Sequence, residues 1–568
     1  MRVVYPALAI ALSCSFSLGA FAQDIQQSRG LDPRVDYPSL ARFGPWDDRN
    51  YNLSAEDLEL LAPNEEELFP GIPLFFRVEL RKEWPRMQRT GPAQYPRAAN
   101  KLFEIRYGGF MRNGVIDRPE DRAAAERTPV TIDDQLKLND VLRADEITVE
   151  INPVDPMMVI AGSNTTGGQK MYYSLDGGAN WGIGEQGDAD GVLDNTCCDP
   201  SVGWSSDGTV AYAASLSSGA IGVNFYRSTT SGVTWTSPIA LTSGGSDKEF
   251  LHVDISATSP YIDNVYLTWH DLNVMQFARS IDLGLNFTIK AFDGTVGQLV
   301  LAQTGIGSDI TTDASGRIYY FYGAFSNGIM LLKSTDGGAS FLSPITVSST
   351  NGNFDWPIPA METRRAWIYA AADCDTSGGP FDGTVYCAWT DTSAPESSVA
   401  SMNHTRIVVA RSTDQGASWQ TSTPHPTADI DTVDRFNQWL TVDDSGIVHV
   451  VYYSTKNSVN RTGVDLYYAN SDNGGVTWNP ERRISTVTSD NVTNVQEWGD
   501  YNGISVIGDQ IIATWTDNRP PGSTTDTDVY VGLMMRDPRP LLLTRGLPLL
   551  LAFTLAFFAA AIIRAQRR

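Results

Sequence analysis

The sequence predicts an all-β chain folded as a β-propeller of four-stranded blades. Three observations lead there. A Ser-x-Asp-x-Gly-x-x-aromatic box recurs six times between Ser174 and Trp478. Between the boxes, a turn pair is followed each time by a β-branched and aromatic strand. The two signals alternate with a period of roughly 50 to 60 residues, the range of propellers and solenoids. Seven such strands imply seven blades, with six as the runner-up.

Composition sets the frame. Of 568 residues, 42% are hydrophobic, enough for a packed core. The formal charge of −24 argues against nucleic acid or an anionic membrane surface as the main partner. Only 5 histidines disfavour a zinc enzyme built on several of them. The charge favours a self-repelling surface, a cationic partner or bound metal ions such as Ca²⁺, and a monomer is expected.

The ends read as targeting segments. Residues 1–22 carry Arg2, an apolar run and Ala20-Phe21-Ala22, a secretory signal pattern. Residues 546–563 are uncharged and just long enough to span a bilayer, with Arg564, Arg567 and Arg568 in the basic tail 564–568. This end also resembles bacterial C-terminal sorting signals, which are cut during surface attachment. Membrane helix or sorting tail, both readings put the protein outside the cytoplasm: secreted, at the cell surface or membrane-anchored. Residues 23–144 form an irregular N-terminal extension without boxes. SAEDLELLA (54–62) reads as a short helix capped by Ser54, and LFFRVELRKEW (74–84) as a strand.

Residues 145–536 form the propeller. Each unit starts with an inner strand, such as PSVGW. The second strand follows a turn: TVAYAA after Asp207-Gly208, RIYYFY after Ser315-Gly316, TVYCAW after Asp382-Gly383. IVHVVY follows Ser445-Gly446, and QIIATW follows Gly508-Asp509; MMVIAG (157–162) and NVYLTW (264–269) fill the same slot. Gly, Asp and Ser supply the dihedrals these turns need. The third strand, as in IVVARS, runs into the box, and the box turns into the fourth. The last unit lacks a box, so the segment before Glu146 is expected to supply its outer strand and close the ring.

Four full boxes carry Asp176, Asp282, Asp336 and Asp414, and two are degraded to Thr230 and Asn473. These boxes resemble the Asp-box, or BNR, repeats of the sialidase-like superfamily, over roughly residues 145 to 535. The resemblance implies that the box is structural, its Asp tying down a turn and its aromatic packing between blades. It also implies a functional site on the opposite face, around the central channel.

Aligning the inner-strand entries on that face gives one column: Glu146, Asp199, Glu249, Asp309, Trp356, Gln438 and Asp500. The second-strand exits add Asp271, Asp391 and Asp517, in TWHD, AWTD and TWTD, with Arg519 beside the last. The result is an acidic channel mouth of candidate binding residues. Clustered acids repel, so some are expected protonated, paired with arginine or bound to a cation. Sialidases of the resembled family hold the substrate carboxylate with three arginines, one in an Arg-Ile-Pro motif. That motif is absent here, and an acidic mouth suits an anionic sugar poorly. The family's Tyr–Glu nucleophile pair finds its nearest match in Tyr501 and Glu497 of EWGDYNG. Asp500 and Glu249 complete the catalytic candidates. Two functions stay open: a sialidase-like glycoside hydrolase, or a non-catalytic propeller binding a protein, glycan or cation. Of the cysteines, Cys374 and Cys387 are expected to bridge one hairpin, and the adjacent Cys197 and Cys198 to form a vicinal disulfide or remain thiols.

Overall fold

The structure is a computed structural model and describes residues 110–112, 115–117, 135–138, 143–186, 191–219, 222–242, 244–292, 303–325, 328–489, 497–519 and 527–535. The signal-like segment 1–22, the helix and strand read at 54–62 and 74–84, and the apolar tail 546–563 lie outside these residues. Among the described residues no helix is long and apolar enough to cross a membrane.

Seven four-stranded antiparallel sheets follow one another along the chain. Their inner strands are Ala144–Ile151, Thr196–Trp204, Ser246–Val253, Gly305–Thr312, Ala371–Cys374, Arg435–Val442 and Gly503–Ile507, for blades 1 to 7. Each inner strand pairs with the strand expected after its turn. The chain is thus a seven-bladed propeller. Blade 7 lacks a box, and its outer strand is Gln135–Lys137, paired with Asp528–Met535. Lys137 pairs with Asp528 at 2.7 Å, and Arg519 donates to Gln135 at 2.8 Å. The N-terminal strand therefore latches the ring, because an open blade would leave a bare strand edge.

The boxes do mechanical work. In blade 1 the Ser174 hydroxyl donates to Asp176 (2.9 Å) and accepts the Gly178 N–H (2.8 Å), while Asp176 accepts the Asn180 N–H (2.8 Å). Thr230 and Asn473 accept the equivalent N–H from Thr234 (2.8 Å) and Thr477 (2.9 Å). The degraded boxes keep the turn because any short side chain with an acceptor can make that bond. Arg279 donates to the Gly337 carbonyl of the next blade's box at 2.9 Å, and Arg411 to Gly474 at 3.2 Å. These arginines tie blade to blade.

The expected Cys374–Cys387 bridge is not formed; both are buried free thiols. Cys374 faces Val385 and Cys387 faces Ala372, so the two are diagonal neighbours. Diagonal positions lie about 7–8 Å apart, beyond disulfide reach. The disulfide that does form joins Cys197 and Cys198.

Candidate functional site at the channel mouth

Inner-strand entries do not run straight. In blades 1, 2, 3, 4 and 6 the pairing register slips near the channel mouth. At each slip one residue takes a left-handed backbone: Glu146, Asp199, Lys248, Gly307 and Asn437. A bulge re-aims the side chain it carries. Of the expected column, the structure brings Glu146, Asp199 and Asp500 together at the mouth and puts other residues in the remaining slots. Lys248 occupies the slot assigned to Glu249, Gly307 that of Asp309, and Asn437 that of Gln438. Trp356 belongs to no inner strand. It is buried in a two-stranded hairpin, Asp355–Ile358 with Met361–Trp367, inserted before blade 5.

That hairpin supplies the residue the sequence reading missed. Arg364 reaches Glu146 at 2.5 Å and also contacts Asp500. Lys248 contacts Asp500 as well, and lies 3.3 Å from Asp199. The Glu146 carboxylate further accepts the Asp500 N–H (2.9 Å) and the Asn164 amide (2.5 Å). Tyr369 donates to Asp500 at 3.5 Å, and Lys248 lies 5.4 Å from the Tyr501 ring centre. The mouth is thus an ion-pair network, not a bare ring of acids: three carboxylates share two cations. Arg364 is its most open member, its side chain 18% exposed, against 2% for Glu146 and 3% for Asp500.

The segment EWGDY organises this network. Glu497 accepts the main-chain N–H groups of Thr363 (2.9 Å) and Arg364 (3.1 Å), and Trp498 donates to the Ala360 carbonyl (3.1 Å). Both hold the hairpin that carries Arg364. At Gly499, φ is 72° and a Cβ would meet the Glu146 side chain, so only glycine leaves Glu146 its place. Asp500 then enters the network. Tyr501 lies beneath it, edge-on to Phe250 (5.4 Å) and tilted against Trp439 (6.5 Å), its hydroxyl without a hydrogen-bond partner among the described residues. Tyr501 and Glu497 therefore form no hydrogen-bonded nucleophile pair.

Electrostatics separates the carboxylates. Burial raises Glu146 to about 7, with Asp500 and Asp199 adding to the rise and Arg364 and Lys248 opposing it. Asp500 is equally buried, yet Arg364 and Lys248 outweigh that burial and hold it below the usual carboxylate range. Burial, then Asp199, pushes Glu249 well up; both its oxygens are buried without a partner. Burial also raises Asp199 and lifts Tyr369 and Tyr501 well above the usual phenol range.

The other candidates lie outside the network and hold neighbouring backbone or side chains. Asp309 accepts the N–H of Ile310 (2.8 Å) and of Ala372 (2.7 Å), stapling blade 4 to blade 5. Gln438 donates to the Tyr369 carbonyl at 2.8 Å. Asp271 accepts from Ser246 (2.6 Å) and Trp269 (3.0 Å), Asp391 from Asn351 (3.0 Å) and Gly352 (3.1 Å). Asp517 accepts from Trp515 (3.1 Å) and Arg519 (2.7 Å). A cavity of about 390 Å³ runs under the Phe250–Trp439 layer instead of around Arg364. It is the central channel, and the carboxylates of Asp309 and Asp373 along it are occupied by main-chain N–H groups. Among the described residues no three acidic, His or Cys groups gather as a metal would need.

A family described as a domain of unknown function (DUF8300) matches residues 36–121, the extension and not the propeller. No curated protein matches the chain. Similar solved structures include an α-L-arabinanase from Penicillium chrysogenum (12% identity, 58% of this chain and 92% of that one, TM-score 0.38). Others are the intramolecular trans-sialidases of Ruminococcus gnavus (12%, 56% and 92%, 0.38) and of leech (13%, 64% and 73%, 0.39). At these scores the propeller rests on the seven sheets and not on the likeness. Fold and site together define a seven-bladed propeller with a charge-balanced channel mouth.

Proposed function

We propose that this protein acts on neutral glycans at the channel mouth, outside the cytoplasm, as a glycoside hydrolase-like propeller. The observation that carries the reading is the sharing of one guanidinium by two carboxylates of opposed proton affinity, Glu146 and Asp500 on Arg364. Pairs pushed apart in this way divide acid and base roles. Glu146 is the proton donor, and Asp500 the standing anion that stabilises developing positive charge on the sugar. Charge balance supports a neutral substrate. Among the described residues Lys248 and Arg364 are already neutralised by Glu146, Asp199 and Asp500, so neither stands ready for a sialic or uronic carboxylate. The signal-like residues 1–22 and the apolar run 546–563 support the location.

A non-catalytic glycan-binding propeller is the second reading, favoured by the depth at which Glu146 is buried. The full-length protein is assayed on fluorogenic neutral glycosides, arabinosides included, and on a sialoside, with glycan-array binding in parallel. Hydrolysis of a neutral glycoside, lost in Glu146→Gln with binding retained, is expected. Binding without turnover leaves the second reading, and turnover of the sialoside alone overturns the neutral-substrate argument. Neither binding nor turnover ends both.

A further inference from the structure

Two adjacent cysteines stand just before Asp199, and they are joined: Cys197 and Cys198 form a disulfide between neighbours. Both are half-buried and follow the exposed Asp194 and Asn195, so a small solute reaches them. The register against the next strand shifts on both sides of Cys198. The Cys198 carbonyl accepts the Ser215 hydroxyl at 3.0 Å. A bridge between neighbours closes a small ring around one peptide bond and restricts the backbone there. The next residue, Asp199, has φ 57°, in the left-handed region that Asp visits only occasionally. Its carboxylate is one of the two that touch Lys248, 3.3 Å from Nζ and 3.3 Å from the main-chain N.

We infer that the Cys197–Cys198 disulfide is a redox modification site for a dithiol reductant, and that it positions Asp199 against Lys248 at the channel mouth. A thiolate of the dithiol attacks one cysteine sulfur and expels the other. The second thiol then resolves the mixed disulfide. Two electrons and two protons pass to Cys197 and Cys198, and the reductant leaves as its own disulfide. Freed of the ring, the bulge that carries Asp199 loses one of its restraints, and once its carboxylate swings away Lys248 keeps Asp500 and the more distant Glu146.

The test is made on the full-length native protein with and without dithiothreitol. Cysteines are alkylated with iodoacetamide, lysines are labelled with acetic anhydride, and both are read by peptide mass spectrometry. Before reduction Cys197 and Cys198 are expected unalkylated and Lys248 protected. After reduction both are alkylated and Lys248 labelling rises. Lys170, 2% exposed in blade 1, stays protected and reports that the fold survives. The C197S/C198S protein labels Lys248 without reductant and does not respond to it. Asp199→Asn raises Lys248 labelling in both redox states. Four results would each overturn the proposal: free thiols before reduction, a bridge that resists dithiothreitol, unchanged Lys248 after reduction, or Lys170 labelled alongside it. Failure of Asp199→Asn to expose Lys248 overturns it too.

Discussion

Replacing Arg364 by alanine tests the charge network most directly, because the effect depends on pH in a way simple loss of packing does not. Arg364 contacts Glu146 and Asp500, whose side chains are 2% and 3% exposed. Removing one partner of a buried pair leaves an uncompensated charge and costs about 3–5 kcal/mol. Asp500 keeps Lys248. Glu146 keeps only neutral donors at hydrogen-bond range, Asn164 and the Asp500 N–H, so it relieves its charge by taking up a proton. In the parent, Glu146 is already raised from 4.5 to about 7. Its contribution to stability is therefore full below about pH 4.5 and lost as pH rises through 7. In the variant the pKa moves higher still. Above pH 7 the folded variant binds one more proton than the folded parent, and the stability gap widens by about 1.4 kcal/mol per pH unit until the variant's own pKa is passed. Urea unfolding midpoints at pH 6 and pH 8.5 measure this, for Arg364→Ala alone and in a Glu146→Gln background. The expected gap is larger at pH 8.5, and the pH dependence shrinks when Glu146 is gone, the remainder belonging to Asp145, which burial raises to about 7 and Arg364 opposes. Equal gaps at both pH values, or the same dependence without Glu146, would refute the proposed sharing of Arg364.

Two further predictions concern how the network is seated. Gly307→Ala places a methyl against the Tyr369 ring at φ 65°, so strain of about 1–2 kcal/mol adds to overpacking of about 1–3 kcal/mol. Gly508→Ala has φ 58° and open space around the new methyl, so it carries the backbone term alone; urea midpoints of the two variants isolate the Tyr369 clash. Deleting residues 1–138 removes the latch strand Gln135–Lys137 and bares the edge of Asp528–Met535. Lost ladder bonds and the unpacking of Leu136 together cost about 3–5 kcal/mol, and size-exclusion chromatography is expected to show edge-driven association.

The fold was legible because its signals are local and repeated. A box turn needs one hydroxyl, one acceptor and glycine within five residues, and Ser174 to Gly178 shows the whole device in the sequence. Even the closing strand could be inferred, since a seventh unit without a box leaves one strand to be found. The disulfide was misjudged for a different reason. Cys374 and Cys387 do sit on paired strands, but their register, offset by two, is a matter of where the hairpin turns. The turn length between them was not enough to fix it.

The site was only half legible, and the bulges explain which half. Counting at a fixed offset from each turn assumes a straight strand. A bulge adds a residue, so the count slips by one at Lys248 and by two at Gly307. The slip matters chemically, because it replaces an acid with a cation in one slot and removes a side chain in the other. Arg364 was out of reach altogether, since its hairpin interrupts the repeat and is held by Glu497 from the segment before blade 7, across more than a hundred residues. These two omissions turned a balanced network into an apparent ring of acids. With Lys248 and Arg364 in place, Glu146, Asp199 and Asp500 carry only one charge in excess, and protonation of Glu146 near pH 7 cancels even that. The −24 of the whole chain therefore has little of its origin at the mouth. Under the proposed glycan reading, a carboxylated sugar would be disfavoured because both cations of the mouth among the described residues are already paired, and not through repulsion by acids.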